Sequence, residues 1–249
     1  MKRVIGALFL LWTCVLIAAY YIVQKPGLLN VLTGLVDTIW TLLVAAILLF
    51  NAYGLGRRAL NGLRFDYRET VDHLLIAEGT GIGVLGLLGL FFAAIQLANP
   101  VILTIFQFSL AVFFLLQKDL NNLIVDIQAL RSQLNISFSQ FSPFTKFAVS
   151  LTVLLSFLLA LTPPFEAFDA LFYHLAQPAR ILQAGGLYAT DAAPQFWFPN
   201  LTENLYLWAL GMGSERAAQM LHLAWAVLAG LLLWYWALQV WNVEVSRKA

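Results

Sequence analysis

Long apolar runs separated by short polar stretches dominate this chain, and each run approaches the roughly twenty residues that an α-helix needs to cross a bilayer. Hydropathy predicts spans near 4–23, 34–55, 74–97, 101–116, 147–162 and 216–240. The expected fold class is all-α, a polytopic α-helical membrane protein of about six transmembrane helices. Residues 1–162 are expected to form a five-span membrane region, 163–214 an outer-face loop with interfacial amphipathic helices, and 215–249 the last span and a tail. The run 101–116 is short and follows its predecessor after only Asn99-Pro100, so that pair reads as a tight helical hairpin or a re-entrant element.

Local patterns refine this picture. The first run, Val4 to Val23, ends beside Tyr20-Tyr21, which suits a retained anchor with interfacial aromatics better than a cleaved signal. Gly79, Gly81, Gly83, Gly86 and Gly89 crowd the third span and predict close helix packing; a phosphate loop would need a following lysine and a preceding strand. From Gln117 to Lys146, Leu120, Leu123, Ile127, Leu130 and Leu134 recur at helical spacing, with Asp119, Asn122, Asp126 and Arg131 on other faces. That segment is expected to be an amphipathic helix along the inner membrane surface or against the bundle.

Charge supplies the orientation, because lysines and arginines are retained on the cytoplasmic side. With the N-terminus inside, the inner loops collect Lys2, Arg3, Arg57, Arg58, Arg64, Arg68, Lys118, Arg131, Lys146, Arg247 and Lys248. The outer side keeps Lys25, Arg180 and Arg216, which places the Pro163–Ser214 loop outside and both termini in the cytoplasm. Composition agrees: 61% hydrophobic and 11% charged residues, with a mean hydropathy of +0.81, exclude a soluble globular domain. A balance of 14 basic against 13 acidic residues offers no field for nucleic acid, and Cys14, the single cysteine, allows neither an internal disulfide nor a thiolate cage.

The outer loop holds the candidate chemistry. After Pro163-Pro164, the residues Phe165, Phe168, Phe172, Leu175, Ala179 and Leu182 form one apolar stripe, while Glu166, Asp169, Tyr173, Gln177 and Arg180 line the opposite face with His174 at its border. Gly185-Gly186 ends this helix. The aromatics Phe196-Trp197-Phe198 suit headgroup depth, and a second short helix begins after Asn200 with Leu201, Leu205, Trp208 and Leu210 on its apolar side and Glu203 and Asn204 near its N-terminus. Asn200-Leu201-Thr202 and Asn135-Ile136-Ser137 match the glycosylation sequon, a pattern common by chance. His222 lies one to two turns inside the final span.

Asp169 with Glu166 one turn earlier gives two carboxylates on one face, enough for a general base or for holding a divalent cation against a phosphate. Arg180 and His174 have the chemistry to neutralise a phosphate leaving group. The same spacing also fits the wet face of an interfacial helix. His73, His174 and His222 lack ligand spacing, so no zinc site is expected while a divalent cation at the carboxylates stays possible, and His73 is placed at the inner interface beside Asp72. Glu78, an acid near the start of the third span, is likewise expected at the cytoplasmic interface.

The run Thr162-Pro163-Pro164-Phe165-Glu166-Ala167-Phe168-Asp169-Ala170-Leu171-Phe172-Tyr173-His174-Leu175, then Pro178, Gly185-Gly186, Phe198-Pro199-Asn200-Leu201-Thr202-Glu203-Asn204-Leu205-Tyr206 and Leu221-His222, resembles the outer loop of bacterial GT-C-type integral membrane glycosyltransferases. These are similar to protein O-mannosyltransferases and aminoarabinose transferases. The resemblance covers roughly residues 160–240. It implies a polyprenyl-phosphate-sugar donor, a lipid, glycan or protein acceptor at the outer face of the bacterial inner membrane, and Asp169 as catalytic base. It further implies Glu166 and His174 as supporting residues, Arg180 as a donor-phosphate contact, Glu203 as a second acid, and Tyr173 and His222 as substrate contacts. In that family the acidic loop follows the first span and the enzymes are longer, so the chain is expected to be an N-terminal part. Two other readings stay open: a non-enzymatic scaffold or assembly subunit, and a fragment of a transporter or polysaccharide polymerase.

Overall fold

A computed structural model describes residues 28–65, 70–162, 170–188 and 201–248. All regular structure among them is helical. The helices are α1 (Leu28–Gly62), α2 (Thr70–Ala94), α3 (Pro100–Leu116), α4 (Asp119–Gln140), α5 (Pro143–Ala160), α6 (Ala176–Ala184), α7 (Leu201–Gly211) and α8 (Glu215–Lys248), with one π-helical turn, Ala170–His174, before α6.

Four segments are long and apolar enough to cross a membrane: Leu32–Gly62, Thr70–Ala94, Pro143–Ala160 and Glu215–Val240. A fifth crossing is formed if α3 and α4, bent by 78° at their junction, count as one span. The six-span expectation is therefore met only in its coarser form. The predicted span 4–23 lies outside the described residues, and 101–116 is a 17-residue helix that leads straight into the bend. Two units are distinguished, residues 1–40 and 41–249. In the first, the early turns of α1 expose Leu32, Leu35, Val36 and Ile39.

Local sequence explains the helix boundaries. Asn99 caps α3 by accepting from the Val101 amide at 2.9 Å, with Pro100 following in the first turn. Ser142 and Pro143 repeat the arrangement at α5, and Ser214 caps α8 through the Ala217 amide at 3.1 Å. Lys118 breaks α3 from α4 by adopting a left-handed conformation, φ 62°. Gly185, at φ 78°, ends α6 as expected, and Gly186 lies against the Ala93 carbonyl, where a Cβ would meet it at 2.7 Å.

The glycines of α2 bring backbones together. A Cβ on Gly81 would collide with the Ala52 carbonyl of α1, and one on Gly89 with the Asn204 carbonyl of α7. A Cβ on Gly86 would meet Leu201 at 2.7–2.8 Å, whereas Gly83 faces open space. Close packing is thus the role of Gly81, Gly86 and Gly89.

These approaches seat α7 inside the bundle. Leu205, Leu207, Trp208 and Ala209 are buried, and the Trp208 indole donates to the Leu85 carbonyl at 2.8 Å while packing against Phe92 and Phe106. The second loop helix was expected to present one apolar side. It is instead enclosed around most of its circumference, because α2, α3, α6 and α8 all pack on it.

Helix α4 packs against the bundle, one of its two expected placements, but splits the expected apolar stripe. Leu123 and Leu130 lie against the buried Tyr53, Leu60, Leu74 and Ala77, whereas Leu120 and Ile127 are exposed and Asp119 and Asp126 are buried. The Asp126 Oδ2 accepts from the Tyr53 phenol at 2.7 Å and meets His73 Nδ1 at 2.7 Å. Asp119 pairs with Arg57 at 3.1 Å and Arg58 at 2.8 Å. His73 therefore belongs to a buried polar network with α4 as well as neighbouring Asp72 in sequence. Nearby, the Asn51 carboxamide donates to Gln107 Oε1 at 2.7 Å. Glu78 lies two turns into α2, with Oε1 enclosed and no hydrogen-bond partner among the described residues.

Candidate functional site

The first loop helix departs from the regular 3.6-residue pattern. A π turn at Ala170–His174 holds more residues per turn than an α-helix, so side chains after it are rotated relative to the predicted stripe. Leu175 is buried as expected, but Phe172 is 39% exposed, and Gln177, placed on the wet face by spacing, is buried beside Pro178 and Ile181. The continuous helix predicted across this segment is thus divided at Leu175, where α6 is capped.

The π turn sets His174 against the first turn of α7. His174 Nδ1 lies 2.6 Å from Glu203 Oε1, and Glu203 is 5% exposed. Tyr173 packs on the same imidazole with ring centroids 4.0 Å apart. A buried carboxylate bonded to one ring nitrogen fixes the imidazole's orientation and leaves Nε2 as the position open to a ligand.

One turn further along α7, the Tyr206 phenol lies 2.8 Å from His222 Nδ1 on α8. Burial, and secondarily the Glu203 carboxylate, push this phenol up to about 12. The phenol therefore keeps its proton at any ordinary pH.

His174, Tyr206 and His222 border a cavity of about 560 Å³ between α5, α7 and α8, with Glu203 behind His174. Leu159 and Ala160 form its α5 wall, Leu223, Trp225 and Ala226 its α8 wall, and His174, Thr202, Tyr206, Gln219 and His222 supply its polar groups. Gln219, with its amide nitrogen toward the end of α5, donates to the Ala160 and Thr162 carbonyls at 3.2 and 2.6 Å, joining the two walls. An apolar chamber with a few convergent polar groups is the usual form of a site for an amphiphilic ligand.

The structure brings together His174, Tyr173, Glu203 and His222 among the residues singled out from sequence. Arg180 is on the exposed side of α6 and is not among the residues lining the cavity. Asp169 and Glu166 lie outside the described residues. No cluster of three or more histidine, cysteine or acidic side chains suited to a metal ion occurs among the described residues. Tyr206, Thr202 and Gln219 were not among the sequence candidates. Their signal was helical spacing: Glu203 and Tyr206 are three apart on α7, and Gln219 and His222 three apart on α8, so each pair shares a face. In comparison with known proteins, no family model, curated sequence or solved structure matches this chain.

Proposed function

We propose that this chain is a membrane glycosyltransferase, or the N-terminal part of one, that moves a sugar from a polyprenyl-phosphate donor to an acceptor at the outer face of the membrane. The observation that carries this reading is the cavity between α5, α7 and α8, apolar along its helical walls and edged by His174, which Glu203 holds, and by the Tyr206–His222 pair. Isoprenoid units match the walls; a phosphate or sugar hydroxyl matches the imidazoles and the phenol. The loop resemblance supports the same substrate class.

In this scheme Glu203 orients His174 and stabilises the imidazolium. Nε2 of His174 takes the proton from the acceptor hydroxyl as its oxygen bonds to the anomeric carbon. The bond from that carbon to the phosphate oxygen breaks, and polyprenyl phosphate leaves with its electron pair. Asp169, the base implied by the resemblance, precedes His174 in the same loop and competes for this role. Transfer from polyprenyl-phosphate-linked hexose and pentose donors, assayed in membranes carrying the full-length protein, separates the two. Glu203→Gln is expected to lower the rate by about 10²–10⁴-fold. A loss confined to Asp169→Asn assigns the base to Asp169, and undiminished transfer in both variants removes the catalytic reading.

A non-enzymatic assembly role is favoured by a different observation. Helix α5 buries only 6% of its most apolar window and presents Phe144, Phe147, Val153 and Leu154 outward. Cross-linking of α5 to a partner helix, with wild-type transfer absent, would support that role over the enzymatic one.

A further inference from the structure

A second, wholly polar recess lies where the C-terminal part of α1 meets the bend between α3 and α4. It measures about 310 Å³ and is lined by Arg57, Arg58, Asn61, Gln117, Asp119 and Asn122. Its chemistry differs from that of the apolar cavity. The two sites also lie near opposite ends of α2: the α4 network engages His73, while α7 packs at Gly86 and Gly89, about 20 Å further along at 1.5 Å per residue.

Two guanidiniums face one carboxylate here, leaving an excess of one positive charge. Both ion pairs run through Nη1, so each arginine retains Nη2 and Nε as donors. Arg58 is further held by the Gly54 carbonyl at 3.1 Å and by the rings of Phe113 and Phe114, 5.1 and 4.5 Å from its central carbon. The carboxamides of Asn61, Gln117 and Asn122 make no side-chain hydrogen bond among the described residues. Asp119 thus holds two forked donors while balancing only one of their charges, and three carboxamides line the same recess, a donor set suited to a small oxyanion.

We infer that this recess binds a phosphate group, with its arginines and carboxamides as ligands. The neighbouring surface bears on the source of that group. Phe113, Leu116, Leu120 and Ile124 are all exposed and apolar, and they flank the polar residues in sequence on both sides of the bend. That is the surface an acyl chain would follow away from a phosphodiester headgroup, and basic recesses between membrane helices commonly take anionic lipid.

The test uses the full-length protein in nanodiscs. Native mass spectrometry compares retained phosphatidylglycerol with phosphatidylcholine, and inorganic phosphate is titrated in a parallel thermal-shift experiment. Asn122→Asp and Gln117→Glu place negative charge in the recess while leaving the Arg–Asp119 pairs intact, and circular dichroism checks that each variant folds. Retention of phosphatidylglycerol roughly tenfold above phosphatidylcholine, abolished by either variant, establishes a lipid headgroup site. Stabilisation by inorganic phosphate alone, lost in the same variants, establishes the site with a soluble ligand. Equal retention of both lipids without a phosphate response, or responses unchanged in both folded variants, overturns the inference.

Discussion

His174 and Glu203, 29 residues apart in sequence, meet at 2.6 Å across the junction of a π turn and the first turn of α7. This contact couples two loop elements, so removing either partner affects the other. A double-mutant cycle with His174→Gln and Glu203→Gln, followed by thermal unfolding in detergent, is expected to give a coupling of about 0.5–3 kcal/mol. Additive effects would show that the two side chains are neighbours without an energetic link.

The close approach of α1 and α2 supplies a second prediction. Gly81→Ala drives a methyl group into the Ala52 carbonyl and is expected to destabilise the fold by about 1–3 kcal/mol. Gly83→Ala, two residues away but facing open space, is expected to be neutral or to stabilise by up to about 1 kcal/mol. Detergent melting curves of the pair check the contrast directly.

Asp126 receives both Tyr53 and His73 at one carboxylate oxygen. Asp126→Ala leaves those buried groups without their acceptor and is expected to cost about 3–5 kcal/mol. Asp126→Asn, which keeps an oxygen acceptor, should cost less. Equal losses in the two variants would mean that packing, and not the polar network, is what the site contributes.

Tyr206 fixes a pH dependence. Its phenol is raised in the folded protein to about 12 from its ordinary value of 10.0, so the unfolded chain ionises first as pH rises. Its contribution to stability is full below about pH 10 and is lost between that pH and about 12. Tyr206→Phe should flatten this part of the stability profile when melting temperature is measured against pH.

Much of the helix placement was legible because the signals were local. Apolar run length located α1, α2, α5 and α8, and Gly185-Gly186 marked the end of α6. The glycine spacing of α2 announced close packing, although it did not name α1 and α7 as the neighbours. Helix α4 is legible in part: Leu123 and Leu130 of its stripe pack on the core, but Asp119 and Asp126 are buried while Leu120 and Ile127 are exposed. Its partners Arg57 and His73 lie 62 and 53 residues from Asp119 and Asp126, beyond the reach of any local rule. The loop register failed at the π turn, whose extra residue no hydropathy pattern signals. His174, Glu203 and His222 were legible as individual candidates, but their arrangement into two pairs around one cavity depended on the burial of α7.

The chamber between α5, α7 and α8 is proposed to hold a polyprenyl phosphate. Photo-cross-linking with a diazirine-bearing polyprenyl monophosphate in nanodiscs, mapped by peptide mass spectrometry, tests it most directly. Labels are expected on Leu159, Leu223, Trp225 and Ala226, and filling the chamber with Ala226→Trp should abolish them. Labelling spread over the outward faces of α3 and α4, and unchanged by that substitution, would contradict the account.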